Sequence, residues 1–435
     1  IAEEVKRYMG SSEKKYEFFG ETHTPTSISA LILKKLKEDT EATHGPIDSA
    51  VVTVPANFSN EAREATQEAA EMAGLKIDYI INEPTAAALA YAFQSGKDLN
   101  GTFLIYDLGG GTFDCTIAKI SGQDIEVLTS EGVSKLGGKD FDEAILKSVS
   151  KKYRLETSED LDSKDYDLNE AEKIKITLST REKTNARPSG EVIPISRVEF
   201  NESISNFILQ TEMAVDAALS RVELKTSDVT EVILVGGSSR IPAIQESIQK
   251  KFGKAPNVFG NLDESVALGA AIYAAYKSDS QNLNPLQQQA ISKISLSEAA
   301  PAYFGTFTMS EGASGRLENT NSIIIAKDVK IPCSVTESFY TMHDNQTHVE
   351  CSITQASTEE TDPLFVNILH KGDLVIEGGR PKGQEIKVTF SYTEDGKMRA
   401  SFLDVGSGKT HEIAIDGREA KASIDSLDIE QFKVE

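Results

Sequence analysis

Asp107-Leu108-Gly109-Gly110-Gly111-Thr112-Phe113-Asp114 stands between two apolar, strand-like runs, Thr102 to Tyr106 and Cys115 to Ile120. Three consecutive glycines let a backbone approach a phosphate closely and aim N–H groups at it. Thr112 adds a hydroxyl. Asp107 and Asp114 are suited to hold Mg2+ or a monovalent ion, or to orient a water. The plain alternative is a glycine-rich hairpin with acidic ends. The stretch is not a Walker A loop, because Gly-x-x-x-x-Gly-Lys-Ser/Thr occurs nowhere in the chain.

Two further glycine pairs lie downstream. The strand-like run Glu231 to Val235 ends in Gly236-Gly237-Ser238-Ser239-Arg240-Ile241-Pro242. A strand that ends in Gly-Gly and opens a helix is a natural nucleotide cradle, and Arg240 can lay its guanidinium on a base. Leu136-Gly137-Gly138-Lys139-Asp140-Phe141-Asp142 has the same character. Each pair is a weak signal alone; three in one region are harder to dismiss. Asn82 to Tyr91 predicts a helix opening at Pro84, which suits the first helical position. Glu83 there is an acid near the phosphate turn or a simple cap. Ser49 to Val54 reads as a strand. Asn60 to Ala73 reads as a helix capped by Ser59 and followed by Gly74, and Ser265 to Tyr276 as an alanine-rich helix. Strands and helices in alternation predict an α/β domain over 1–277.

Composition changes after 277. Residues 278–300 are rich in Ser, Asn and Gln and read as a linker. Beyond Pro301, short apolar runs with turn signals predict an all-β domain over 301–421: His348 to Thr354, Leu364 to Leu369, Glu385 to Tyr392 and Met398 to Leu403, with Asp395-Gly396 as a hairpin turn. Residues 422–435 read as the start of a helical segment. The 435 residues suit two to four domains, and 39% hydrophobic with 26% charged residues argues against wholesale disorder. A net charge of −23 repels phosphate backbones and argues against general nucleic-acid binding. No run of eighteen apolar residues exists to span a membrane. Cys115, Cys333 and Cys351 form no CxxC pair, as expected of thiols in a reducing cytoplasm. His343 and His348 lack helical metal spacing, which argues against zinc.

Taken together, Val5-Lys6-Arg7-Tyr8-Met9-Gly10, Val54 to Phe58, Ile81 to Tyr91, Asp107 to Asp114, Leu136 to Asp142, Leu234 to Pro242 and Asp263 to Ala271 resemble the ATPase domain of the seventy-kilodalton heat-shock chaperones, the DnaK type. The resemblance is collinear over nearly all of 3–276. It implies an actin-like, two-lobed fold closing over ATP or ADP with Mg2+ and a monovalent ion such as K+, and slow hydrolysis coupled to peptide binding. It implies that Lys6 is the catalytic lysine at the γ-phosphate, and that Asp107 lies near Mg2+ and the hydrolytic water. Thr112 would stand beside the γ-phosphate, Asp114 would bind the monovalent ion, and Glu83 would be the acid near the metal. Gly109, Gly110, Gly111, Gly137 and Gly138 match phosphate-contacting turns. Glu172, Lys175, Ile176 and Ser179 match one side of the adenosine pocket; Gly236, Gly237, Ser238, Arg240 and Asp263 match the other. Ile176 stands where some members carry an arginine. Arg63 and Pro84 match positions tied to interdomain signalling.

The β region, through Phe339 to Val349 with its Asp344-Asn345-Gln346, resembles more loosely the family's β-sandwich peptide-binding domain. Met309, Phe339, Met342 and Val349 are the implied peptide contacts, with Val349 at the pocket floor; plain core residues are the alternative. Unfolded or extended polypeptides, a J-domain co-chaperone and a nucleotide exchange factor are the implied partners. The family's Asp-Leu-Gly-Thr-Thr phosphate hairpin has no counterpart before Lys6, and a chain without the family's helical lid beyond Glu435 is expected. An N-terminally truncated chain with compromised ATPase activity is therefore expected. The leucine- and valine-rich linker of the family is thinned here to Ile291, Ile294 and Leu296, so a weaker or differently tuned interdomain coupling is expected. Two other readings stay open: a non-hydrolysing heat-shock-like regulator or scaffold, and a sugar kinase or actin-like filament protein on the same fold.

Overall fold

The computed structural model describes residues 4–18, 20–47, 49–95, 99–258, 260–311, 316–393 and 398–415. They form two compact units, one through Leu296 and one from Ser297.

In the first unit the glycine stretch is the turn of an antiparallel hairpin, Asn100–Leu108 with Phe113–Ser121, whose register sets Asp107 opposite Asp114. Asp124–Val133 adds to one side antiparallel, and Val229–Val235 adds to the other side parallel. The sheet is therefore mixed, and helices cover both faces. Side chains alternate along a strand, so Leu104, Tyr106 and Leu108 face one core, and Phe103 and Ile105 the other. The first core is closed by the helices Gly138–Thr157, Arg197–Arg221 and Pro242–Phe252, through Phe141, Ile145, Phe200 and Ile244. The second is closed by Glu83–Gln94 and Ser265–Lys277. Burial on both faces is why these strands read as continuous apolar runs.

The alanine content of the last two helices has a packing reason. A Cβ on Gly269 would stand 1.7 Å from the Ala86 carbonyl oxygen, so the helix backbones touch where larger side chains could not fit. The helix Asn60–Met72 begins at Ser59, whose hydroxyl accepts from the Ala62 N–H, and is followed by Gly74 at φ +72°. That conformation is cheap only for glycine.

The second unit holds two four-stranded antiparallel sheets. One runs Leu317–Ile325, Tyr303–Glu311, His348–Ala356, Asn367–Val375; the other runs Cys333–Tyr340, Glu385–Tyr392, Met398–Asp404, Thr410–Ile415. Alternate residues Ile386, Val388, Phe390 and Tyr392, with Met398, Ala400 and Phe402, point into one core with Phe304, Ile325 and Ile353. Each such side chain contributes about 1.5–3 kcal/mol by leaving water.

Three expectations differ from the structure. The 278–300 stretch is not plain linker: it contains a helix, Pro285–Ile291, and a strand, Ser295–Ala299. Asn284 caps that helix by accepting from the Gln287 N–H. Ile294 is buried with the second core, and Ile291 and Leu296 pack against it, so three spaced apolar residues suffice to tie a polar segment down. The run Leu364 to Leu369 is not one strand. Pro363–Phe365 forms a 3-10 turn with Leu364 and Phe365 exposed, and the strand starts at Asn367. Asp362 starts that turn by accepting from the Leu364 N–H. The helix expected to open at Pro84 begins one residue earlier, at Glu83. Asp395-Gly396 and 422–435 lie outside the described residues.

Candidate functional site

The three glycine turns, far apart in sequence, meet at one place. Gly138 N–H donates to the Gly109 carbonyl at 2.9 Å, and Lys139 N–H to that of Gly110 at 3.0 Å. The Ser238 hydroxyl donates to the Gly109 carbonyl at 2.9 Å. This contact excludes side chains. A Cβ on Gly137 would lie 2.5 Å from Gly110 C, and one on Gly138 2.6 Å from Ser238 Oγ. One on Gly236, at φ +80°, would lie 2.4 Å from the Leu108 carbonyl oxygen. Gly110 is the exception, with no protein atom within 4 Å of its Cβ position. Its outer face is open for a ligand.

Beneath the turn Asp107 and Asp114 are both buried. Burial pushes Asp107 up to about 7, with Glu83 adding and Lys6 opposing. Asp114 is held well above the carboxylate range by burial first and then by Asp107 and Glu83, against Lys6 and the Asn57 backbone. Its Oδ1 has no hydrogen-bond partner. Two carboxylates facing each other in a low-dielectric site form a place that a cation would relieve. Lys6 Nζ already reaches Glu83 Oε1 at 2.6 Å, and half of the Lys6 side chain is exposed. Among the described residues no group of three or more His, Cys, Asp or Glu could hold one ion. An ion here would complete its shell with water and phosphate oxygens, the habit of Mg2+ at nucleotides.

The helix Leu168–Thr180 carries Glu172, Lys175, Ile176 and Ser179 along one face, at helical spacing. Glu172 and Ile176 are exposed, whereas Lys175 is buried. Lys175 Nζ donates to Asp142 Oδ2 at 2.9 Å and to the Gly138 carbonyl at 3.2 Å, which ties this helix to the glycine turns. Ser179 spends its hydroxyl on the Lys175 carbonyl. Across from them Arg240 donates to Asp263 Oδ2 at 3.0 Å and to Asn261 Oδ1 at 3.2 Å. Asp263 Oδ1 also stands 2.8 Å from where a Gly237 Cβ would be. Arg63 donates to Asn82 Oδ1 at 2.6 Å and to the Ala56 carbonyl at 3.1 Å, binding the Val54 to Phe58 turn to the start of the helix that holds Glu83 and buried Pro84.

In the second unit Met309, Phe339, Met342 and Val349 all line one cavity of 630 Å³, with Ile386 and Phe402 behind them. Each residue of Asp344-Asn345-Gln346 holds the loop beside it. Asp344 accepts from the Lys382 N–H at 2.8 Å. Asn345 takes φ 60°, which Asn tolerates. Gln346 accepts from the Met342 N–H at 3.0 Å and donates to the His348 carbonyl at 2.9 Å.

The family model described as Hsp70 protein matches residues 4–434. The chain belongs to the Hsp70 family. It is 37% identical over 434 residues to the Chaperone protein DnaK of Thermotoga neapolitana, an alignment covering 95% of this chain and 69% of that protein. The Chaperone protein DnaK of Thermotoga petrophila and that of Thermotoga maritima stand at the same identity and coverage. Mixed α/β sheets in the first unit are consistent with the ATPase domain of this chaperone family. No helix among the described residues is long and apolar enough to cross a membrane.

Sequence reasoning on this Hsp70 chain passed over three groups. Arg7 Nε donates to the Gly111 carbonyl at 2.8 Å, and its Nη2 meets Asp140 Oδ2 at 2.6 Å. Asp140 accepts from the Gly137 N–H as well. Together they lash the phosphate-type turn to the next helix, and the signal was a second cation beside Lys6. Asp142 is the third: burial outweighs its Lys175 partner and pushes it up to about 6.

Proposed function

We propose that this chain binds ATP and ADP at the meeting of the three glycine turns, hydrolyses ATP slowly, and couples that cycle to binding and release of extended apolar polypeptide segments in the cavity of the second unit. The observation that carries the reading is the convergence of Gly109–Gly111, Gly137–Gly138 and Gly236–Ser238 over two buried carboxylates and beside Lys6. The proposed architecture is an actin-like two-lobed ATPase domain followed by a β-sandwich peptide-binding domain.

The Gly109 N–H closes the turn on the Thr112 carbonyl at 3.2 Å, which leaves the Gly110 and Gly111 N–H groups and the Thr112 hydroxyl for the phosphates. Lys6 Nζ supplies positive charge where negative charge develops on the γ-phosphoryl oxygens. The Asp107 carboxylate accepts a hydrogen bond from the attacking water and fixes its line of approach. Asp107 and Asp114, whose unpartnered Oδ1 fits an ion, would hold Mg2+ and K+ with Glu83 near the metal. Bound there, the ions would neutralise phosphate charge. Ile176 and Arg240 form two walls for the base, and Arg63 with Pro84 passes a change at Glu83 to the 54–58 turn. Val349 leaves room at the cavity floor for one leucine-sized side chain. A J-domain co-chaperone and a nucleotide exchange factor are the proposed partners. A reducing cytoplasm is the proposed location, since Cys115, Cys333 and Cys351 form no CxxC pair.

The test is Lys6→Ala in the intact protein, read by ATP affinity and by single-turnover hydrolysis. Affinity should be nearly kept, and hydrolysis should fall by about 100- to 1,000-fold, the loss of about 2.7–4 kcal/mol of transition-state stabilisation. Undiminished turnover of bound ATP rejects the assignment.

A further inference from the structure

We propose that His370 and His411 form a two-nitrogen site for a divalent transition-metal ion of the Zn2+, Ni2+ or Cu2+ class, clipping together the edge strands of the two sheets in the second unit. His370 lies on Asn367–Val375, the last strand of one sheet, and His411 on Thr410–Ile415, the last strand of the other. These edge strands run beside each other. The two rings face each other with centroids 6.4 Å apart and planes tilted by 38°.

The rings converge on a gap that a glycine keeps open. Residues two apart on a strand share a face, so His370 and Gly372 point the same way. The Cβ position of Gly372 is 3.2 Å from His370 Nε2 and 3.2 Å from His411 Nε2. One point therefore lies equally close to both ring nitrogens, with no side chain between them. His411 Nε2 is buried and makes no hydrogen bond. A buried imidazole nitrogen without a partner is costly unless something binds it.

Neutral imidazole nitrogen suits Zn2+, Cu2+ and Ni2+, and suits Mg2+ poorly. An ion must stand clear of the Gly372 Cα, so the two rings would turn about their side-chain bonds to bring both Nε2 atoms to the coordination distance of about 2.0–2.1 Å. Two protein nitrogens leave the remaining positions to water, so binding is reversible. Because the ligands come from different sheets, a bound ion would resist parting of the two edges. This site is independent of the nucleotide reading.

The experiment titrates Zn2+ or Ni2+ into the full chain with excess Mg2+ present, so that oxygen sites are occupied. Calorimetry reads affinity, and thermal melting reads stability. One ion should bind, and it should raise the melting temperature. His370→Gln or His411→Gln should each weaken binding by at least about tenfold, the scale for loss of a metal-supporting group. Gly372→Ala should do the same with both histidines in place, because its methyl fills the gap. His343→Ala and His348→Ala should bind as the parent does. Failure of the parent to bind overturns the proposal. So does undiminished binding in the His370→Gln/His411→Gln double variant or in Gly372→Ala.

Discussion

Gly110→Ala separates a nucleotide cradle from a glycine-rich hairpin. The Cβ position at Gly110 has no protein atom within 4 Å, and its φ lies outside the left-handed region. The protein alone should therefore accept the methyl group. The melting temperature should be unchanged or slightly higher, since alanine lowers the entropy of the unfolded chain. A bound phosphate would occupy the space that the methyl enters. Overfilling a close-packed contact costs about 1–3 kcal/mol. ADP and ATP should then bind about 5- to 150-fold more weakly. The companion is Gly137→Ala, whose Cβ would strike the Gly110 backbone at 2.5 Å. That variant should lose both nucleotide affinity and stability, because the collision is within the protein. Calorimetry with ADP, beside thermal melting without it, reads both quantities. A Gly110→Ala protein that binds ADP as tightly as the parent would refute the reasoning: the open face of the turn would then not be where a phosphate lies.

Arg240→Ala should weaken ADP and ATP about equally, since the proposed contact is to the base; an effect confined to ATP in the same titrations would move Arg240 to the phosphates. Val349→Phe should fill the cavity floor with the protein's own ring and lower affinity for a leucine-bearing peptide by up to about 1.5–3 kcal/mol, the worth of burying that leucine; unchanged binding by fluorescence anisotropy would put the groove elsewhere. Asp404 is fully buried and meets Arg380 through both carboxylate oxygens, with Ser407 and the Gly406 N–H also donating to it. Arg380 above all holds it at about 2, below the 3.8 of a free carboxyl. The folded value is the lower one, so its contribution of about 2 kcal/mol is full above pH 4 and is lost as pH falls toward 2. Urea midpoints of the second unit should drop over that window, and Asp404→Asn should flatten the drop; an equal pH slope in both proteins would assign the acid sensitivity to other groups.

Local chemistry carried much of what the chain by itself determined. Strand runs such as Glu231 to Val235 and Glu385 to Tyr392 were legible because burial on one or both faces writes a pattern of period two or a continuous apolar run. The helix from Asn60 was legible because Ser59 and Gly74 satisfy its ends through their own short side chains and backbone. The glycine turns were legible as residues, since only glycine permits such close backbone approach. Their meeting was not. Gly109, Gly137 and Ser238 are separated by long stretches of chain, and only packing of helices on both faces of the sheet brings them within hydrogen-bond reach. The same holds for the raised carboxyls of Asp107 and Asp114. Charge signs are written in sequence, but desolvation exists only once neighbours exclude water. Lys175 reads as one polar face residue among several, and packing alone turned it inward onto Asp142 and Gly138. The polar 278–300 segment misled because composition averages over its length, whereas three spaced residues, Ile291, Ile294 and Leu296, were enough to anchor it once a core existed to receive them. His370 and His411 carried no spacing signal at all, since their proximity depends on two edge strands of different sheets coming side by side.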